Sequence, residues 1–293
     1  MIQIEGLHYG YGRAALYADF SAQIGQPGIY GVFGRNGSGK STLLRLLCGL
    51  LTPWQGRVRV LGFQPRQRAA EFLASIYIVP EEFHLPNLTA AQLARTHGSF
   101  YPRFSHALFS DYLQVLEVPV DSRFEAMSLG QKKKAAIAFA LATQTPLLLM
   151  DEPTNGLDIV GRGQFRELMR RPEQAQRVVM ISTHQAHDLE SILSHIWFID
   201  QGRLALAARM DELAERLTMG VAATAQALPT DGLLYQEALG AQVAYVARRV
   251  AGVPEEGALQ LELLYKALSL NRDAMLQALA TADGAPTAEG ALA

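Results

Sequence analysis

The run Val32-Phe33-Gly34-Arg35-Asn36-Gly37-Ser38-Gly39-Lys40-Ser41-Thr42-Leu43-Leu44 joins an apolar, β-rich stretch to an apolar helical one through a glycine-rich loop. Few architectures accept such a joint. The glycines let backbone N–H groups turn inward around an anion, and the following helix, expected from about Lys40 to Leu50, adds the positive end of its dipole. Lys40 can reach the outer phosphates of a nucleotide, and Ser41 offers a hydroxyl to Mg²⁺. The spacing therefore specifies an α/β fold that binds a nucleoside triphosphate through Gly34, Arg35, Asn36, Gly37, Ser38, Gly39, Lys40, Ser41 and Thr42. A lone loop of this kind occurs in many unrelated proteins and leaves the biological role open.

The 293 residues suffice for a large α/β domain and a smaller one. A formal charge of −2 with 18% charged residues gives no chain-wide basic field, so nucleic acid is not expected as the main partner. Cys48 is the single cysteine, which excludes an intramolecular disulfide and a cysteine zinc site and leaves a buried helix contact as its expected role. Met1 to Gly6 lacks the charged and apolar stretches of an export leader and reads as a first strand. The purest apolar run, Ala135 to Ala142, is far short of the ~20 residues that cross a bilayer as a helix. Any membrane role is expected to use a separate chain.

Alternating apolar residues around Leu16 to Ile24, the run Gly28 to Phe33 and Arg57 to Gly62 predict a mixed, partly antiparallel start. Ile76 to Val79, Leu147 to Met150, Val178 to Ser182 and Ile196 to Ile199 are short apolar runs separated by helical patterns, as central parallel strands buried on both faces require. Thr89 to Leu116 carries apolar residues at helical spacing, interrupted at Tyr101-Pro102, and predicts a helical insertion within about 85–145. Residues 211–293 hold 11 acidic and 5 basic side chains, a net of −6, against +4 for residues 1–210. This shift predicts a boundary near 205–225, with a domain over 1–210 and a small α+β unit over 211–293. In the latter, Leu233 to Tyr235 and Ala241 to Val250 look strand-like, and Leu259 to Leu279 helical. Asp283 to Gly290 lacks bulky apolar residues and reads as a frayed tail, beginning near 282.

Leu147-Leu148-Leu149-Met150-Asp151-Glu152 predicts a buried strand delivering two carboxylates at its C-terminal end, where α/β sheets bind ligands. Asp151 is placed to hold hydrated Mg²⁺, and Glu152 to polarise an attacking water as general base. An Asp-Glu pair alone would read as an ordinary strand-end turn; Lys40 upstream and Pro153-Thr154-Asn155-Gly156-Leu157-Asp158 downstream favour chemistry.

With these motifs in this order, residues 1 to about 205 resemble the ATP-binding cassette (ABC) ATPases, the nucleotide-binding subunits of ABC transporters. Met127-Ser128-Leu129-Gly130-Gln131 is similar to the family's LSGGQ signature at the head of a helix, with Leu129 in place of the first glycine. The resemblance implies a P-loop NTPase cassette, with a RecA-like core, an antiparallel β subdomain and a helical subdomain, followed here by a small α+β domain. It further implies two ATP molecules sandwiched in a head-to-tail dimer, in which Ser128, Gly130 and Gln131 of one copy complete the site of the other. Ser128 also reads simply as a helix cap. Lys132 to Lys134 read as a solvated helix face with no catalytic part.

The resemblance extends to His184, in Ile181-Ser182-Thr183-His184, as the switch histidine near the γ-phosphate; His187 and His195 are not assigned a role. Asp158, in the segment similar to the family's D-loop, would couple the two sites. Tyr11 matches the aromatic that stacks on adenine, with Tyr9 as the competing candidate. Glu81, in Val79-Pro80-Glu81-Glu82, stands where the family usually has glutamine. It could bind Mg²⁺, and its extra negative charge near Asp151 and Glu152 predicts a steep dependence on metal.

Within the family the resemblance is strongest to export-type cassettes with separately encoded permeases, on Tyr101 to Ser105, Ser128-Leu129-Gly130 and Leu261 to Leu268. It implies an ATPase using ATP and Mg²⁺, peripheral on the cytoplasmic face of the cell membrane, working as a homodimer. The acidic C-terminal unit suits regulation or dimer clamping better than nucleic-acid contact. Two other readings are weighed. A cassette acting on a ribosome or nucleic-acid complex would ordinarily show a second cassette, a long coiled coil or a basic arm. A nucleotide-regulated binding module with weak hydrolysis would sit poorly with intact Lys40, Asp151, Glu152 and His184.

Overall fold

The computed structural model describes residues 1–229, 231–249 and 259–279. The chain opens with β1 (Ile2–Tyr11), β2 (Ala14–Ile24), β3 (Gly28–Phe33), α1 (Lys40–Leu47) and β4 (Gln55–Val60). Then come α2 (Ala70–Leu73), β5 (Ile76–Val79), α3 (Ala90–His97), α4 (His106–Val115) and α5 (Leu129–Ala142). β6 (Leu147–Asp151), α6 (Ile159–Met169), β7 (Val178–Ser182), β8 (His195–Asp200) and β9 (Arg203–Arg209) follow. The C-terminal unit holds α7 (Met210–Arg216), β10 (Leu217–Ala222), β11 (Leu233–Leu239), β12 (Gln242–Arg248), α8 (Leu261–Leu270) and α9 (Arg272–Leu279).

The central sheet runs β5-β6-β7-β3-β8-β9, parallel except for β9. Its strands are buried on both faces, and successive side chains of β6 feed two different cores. Leu147 and Leu149 join one that is closed by α1 and the antiparallel sheet β2-β1-β4. Leu148 and Met150 join the other, with Ile137 and Leu141 of α5 and Phe165 of α6. The period-two alternation of a pleated strand thus makes three layers from one apolar run.

Most expected elements occur, with shifted ends. The helix after the phosphate loop stops at Leu47 rather than Leu50, because Gly49 takes φ +73 and packs against Pro65, where a Cβ would lie 2.2 Å from the Pro65 carbonyl oxygen. The strand expected from Arg57 begins at Gln55. The helical insertion starts at a capping box between Thr89 and Gln92 and resumes at the Ser105 cap. Leu259 to Leu279 contains two helices, broken at Asn271. Cys48 is buried at the end of α1, as expected. The tail from 282 and the end of the strand expected to reach Val250 lie outside the described residues.

Around 205–225, β9 pairs with β8 while β10 belongs to a separate sheet, β10-β12-β11. Leu213, Leu217, Val246, Leu261 and Leu264 nevertheless join the same core as Leu148 and Ile181. The C-terminal unit therefore packs its apolar side chains into the second face of the central sheet. Replacing the fully buried Leu148 with alanine is expected to lower the unfolding free energy by about 2–5 kcal/mol, read from the denaturation midpoint at unchanged slope.

Candidate functional site

The C-terminal ends of β3, β6 and β7 lie side by side, so the segments leaving them converge on one edge of the sheet. There a cleft of about 500 Å³ is lined by Tyr11, Asn36, Gly37, Gly39, Lys40, Ser41, Thr42, Glu81, Glu152 and His184, residues far apart in sequence. The loop floor is tight: Gly39 has φ +108, and a Cβ there would sit 2.4 Å from the Tyr17 hydroxyl. That hydroxyl donates to the Gly39 carbonyl at 2.8 Å from beneath the loop. Tyr17 escaped the motif reading, although the alternation of β2 turns it inward.

Lys40 is 8% exposed, and its ammonium folds back to donate to the Gly34 carbonyl at 2.9 Å and the Arg35 carbonyl at 3.3 Å. Burial lowers its pKa, against the opposing pull of Glu152, Asp151 and Glu81. Ser41 Oγ donates to Asp151 Oδ1 at 2.9 Å, and the Ser182 hydroxyl donates to the same oxygen. A hydroxyl and a carboxylate are thus already brought together, a hard-oxygen set suited to a hydrated Mg²⁺ that takes only one or two protein ligands.

Glu152 sits in a left-handed turn, φ 45, a conformation that costs a non-glycine residue about 1–3 kcal/mol. Its N–H donates to the Ser182 carbonyl at 2.9 Å, which holds the turn. The side chain is buried; Oε1 accepts from His184 Nδ1 at 2.8 Å, and Oε2 is without a hydrogen-bond partner among the described residues. His184 Nε2 in turn lies 3.5 Å from the Gln185 side-chain amide nitrogen. A buried carboxylate oxygen left open in a polar cleft is poised to accept a proton or a hydrogen bond from a small ligand.

Glu81 is exposed, with Oε1 accepting from Asn155 Nδ2 at 3.1 Å and its backbone carbonyl accepting from Lys133 Nζ at 3.2 Å. Lys133, read from the sequence as solvated, is 3% exposed, lies over the Phe83 ring at 5.4 Å, and has its pKa lowered by burial. Its amphipathic stem explains the discrepancy: a lysine can bury its methylenes and still satisfy its ammonium on a carbonyl.

Tyr11 is 54% exposed at the cleft mouth, its hydroxyl 3.0 Å from Thr42 Oγ1, whereas Tyr9 is buried edge-on against it and beside Trp54. Of the two, Tyr11 presents a ring to a ligand. Ser128, Gly130 and Gln131 do not line this cleft. Ser128 Oγ accepts from Gln131 N at 3.2 Å, and Gln131 Oε1 accepts from Ser128 N at 3.0 Å, a capping box that closes the head of α5. Asp158 caps α6 on Gly161 N at 2.7 Å. His195 stacks on Tyr30 and bonds Ser194, its pKa lowered first by burial; His187 pairs with Asp188 at 3.2 Å.

Sheet, loop and cleft together define a P-loop nucleotide-binding ATPase. The family described as ABC transporter matches residues 17–155, and the chain belongs to it, as one of its ATP-binding subunits. It is 30% identical over 226 residues to the linearmycin resistance ATP-binding protein LnrL of Bacillus subtilis, covering 74% of this chain and 72% of that one. It is 29% identical over 212 residues to the bacitracin transport ATP-binding protein BcrA of Bacillus licheniformis, covering 70% and 69%. An ATP-binding cassette solved as a dimer in a post-hydrolysis state with ADP and Pi shares the fold, with a TM-score of 0.62 and 22% identity over 71% of this chain and 98% of that one.

Tyr17→Phe is expected to lower stability by about 0.5–1.5 kcal/mol and to weaken ATP binding through a looser loop. Thermal unfolding and nucleotide titration on the same preparation check both effects.

Proposed function

We propose that the chain hydrolyses ATP within a head-to-tail pair of cassettes, and that the pair drives export through a separate membrane permease from the cytoplasmic face of the membrane. The observation that carries the hydrolytic reading is the buried Oε2 of Glu152, without a hydrogen-bond partner among the described residues, on a side chain that lines the cleft. Tyr11 stacks on the base, and the phosphate-loop N–H groups with Lys40 hold the phosphates, Lys40 exchanging its carbonyl partners for phosphate oxygens. Ser41 and Asp151 would hold Mg²⁺, with Glu81 as a further carboxylate; the ion would supply charge neutralisation for the phosphates.

Glu152 accepts the proton of the attacking water at Oε2, with His184 donating from Nδ1 to Oε1; protonated at both nitrogens, the imidazole would also donate from Nε2 to the γ-phosphate. Ser128 and Gly130 of a second copy close over that phosphate at the head of α5, where the helix dipole favours an anion. Removing the γ-phosphate lets the two copies part. Support for transport comes from the relatives: LnrL is named for linearmycin resistance and BcrA for bacitracin transport. Among the described residues no helix is long and apolar enough to cross a membrane.

Glu152→Gln keeps the shape of the side chain and removes the proton acceptor. It is expected to keep ATP affinity, lower turnover by at least about a hundredfold, and accumulate ATP-bound dimers on size exclusion. Unchanged hydrolysis in this variant would overturn the assignment of the base, and a strictly monomeric ATP-bound form would overturn the shared site.

A further inference from the structure

The segment that carries His184 runs on as a short helical turn at Ala186–Asp188 and reaches Glu190 before β8 begins. Two parts of the molecule hold it from outside the cleft. On one side, Arg162 of α6 donates through Nη1 to Asp188 Oδ2 at 2.7 Å and through Nε to the Leu157 carbonyl at 3.2 Å. Arg166 reaches the Asp188 carbonyl at 3.4 Å. Asp188 is buried, and Arg162 holds its Oδ2 while His187 pairs with its Oδ1 at 3.2 Å. One guanidinium therefore fastens the loop that leaves Glu152 to the loop that leaves His184.

On the other side stands the C-terminal unit. Glu190, half-buried, accepts from the Leu261 backbone N–H at 2.7 Å, closing the first turn of α8. Tyr265 of the same helix stacks on Phe198 of β8 with centroids 5.5 Å apart, which fixes α8 against the ATPase sheet. Lys266 bonds Glu237 of β11 at 3.0 Å, so α8 is also tied to the three-stranded C-terminal sheet. A carboxylate beside the N–H groups that open a helix is a favourable electrostatic contact as well as a hydrogen bond.

We propose that the C-terminal unit sets the position of His184. Glu190, held by α8, and Asp188, held through Arg162 to the loop after Glu152, clamp the segment whose first residue bonds Glu152. Arg162, Asp188 and Glu190 are positioning residues: none lines the cleft, and each acts through the placing of His184 against the base. The proposal rests on the hydrolytic reading of Glu152 and His184. Displacement of α8 then slackens the 184–190 segment at Glu190 and with it His184, and slows hydrolysis. Whatever binds the C-terminal sheet gains a lever on turnover.

The test uses the full chain in four variants: Glu190→Ala, Glu190→Gln, Arg162→Ala and His184→Ala. Hydrogen exchange without nucleotide reads residues 184–190 directly, and steady-state kinetics reads kcat and KM separately. Glu190→Ala and Arg162→Ala are expected to raise exchange over 184–190 and to lower kcat about tenfold with KM for ATP within about twofold. Glu190→Gln keeps an acceptor oxygen for Leu261 N and should restore both readouts to near wild type. Normal exchange over 184–190 in Glu190→Ala, or unchanged kcat despite faster exchange, would overturn the clamp; so would a glutamine variant as impaired as the alanine one. Should Glu190→Ala fail to fold, Arg162→Ala and Glu190→Gln decide the matter on the same readouts. His184→Ala separates the two levels: wild-type turnover there sinks the role of His184 itself, whatever the exchange data show.

Discussion

Several buried charges lie in and beside one cleft, and the arrangement around them follows from keeping them satisfied. Asp151, Glu152, Lys40 and Lys133 are each under a tenth exposed. Removing such groups from water is costly unless each finds a counter-charge or a hydrogen-bond partner. The chain meets that condition with backbone carbonyls for both lysines and with hydroxyls for Asp151. Glu152 Oε2 is without a partner among the described residues, as are the hydroxyls of Ser38 in the phosphate loop and of Thr154 two residues after Glu152.

The layers explain how such a site is held steady. β6 ends in the two carboxylates, and its preceding residues are locked into two cores at once, so the strand end has little freedom to shift. From β7, Ser182 bonds both carboxylate-bearing residues, by its hydroxyl to Asp151 and by its carbonyl to the Glu152 N–H. Asn155 adds a tie across the cleft, donating to Glu81 and accepting from Gln185 at 3.5 Å. Positioning is thus distributed over neighbouring strands and the loops that leave them, which is what precise electrostatic stabilisation of a transferring phosphoryl group requires.

Much of this was legible in the sequence because it is local or periodic. The phosphate loop, the buried strands and the cap at Ser128 are each written in a few consecutive residues, and the cleft gathers Lys40, Ser41, Glu81, Glu152 and His184. What stayed hidden depends on long-range approach. Tyr17 lies 22 positions from the carbonyl it supports, Arg162 lies 26 from Asp188, and Glu190 lies 71 from Leu261. Lys133 looked solvated because a three-lysine run has no periodicity to mark the one that turns inward. The change of charge predicted a boundary near 205–225, but charge says nothing about apolar packing, and one core runs across those residues.

The capping box at Ser128 has a chemical corollary. In that box the hydroxyl oxygen only accepts, from the Gln131 N–H, so its own proton is not consumed in holding the helix. A serine in this position can therefore keep α5 intact and still donate to an incoming anion, with no conformational toll on closure. Aspartate would cap as well but repel the same anion, and alanine would forfeit both roles. Dual use of one hydroxyl is a reason for serine, out of all good capping residues, to stand at the head of this helix.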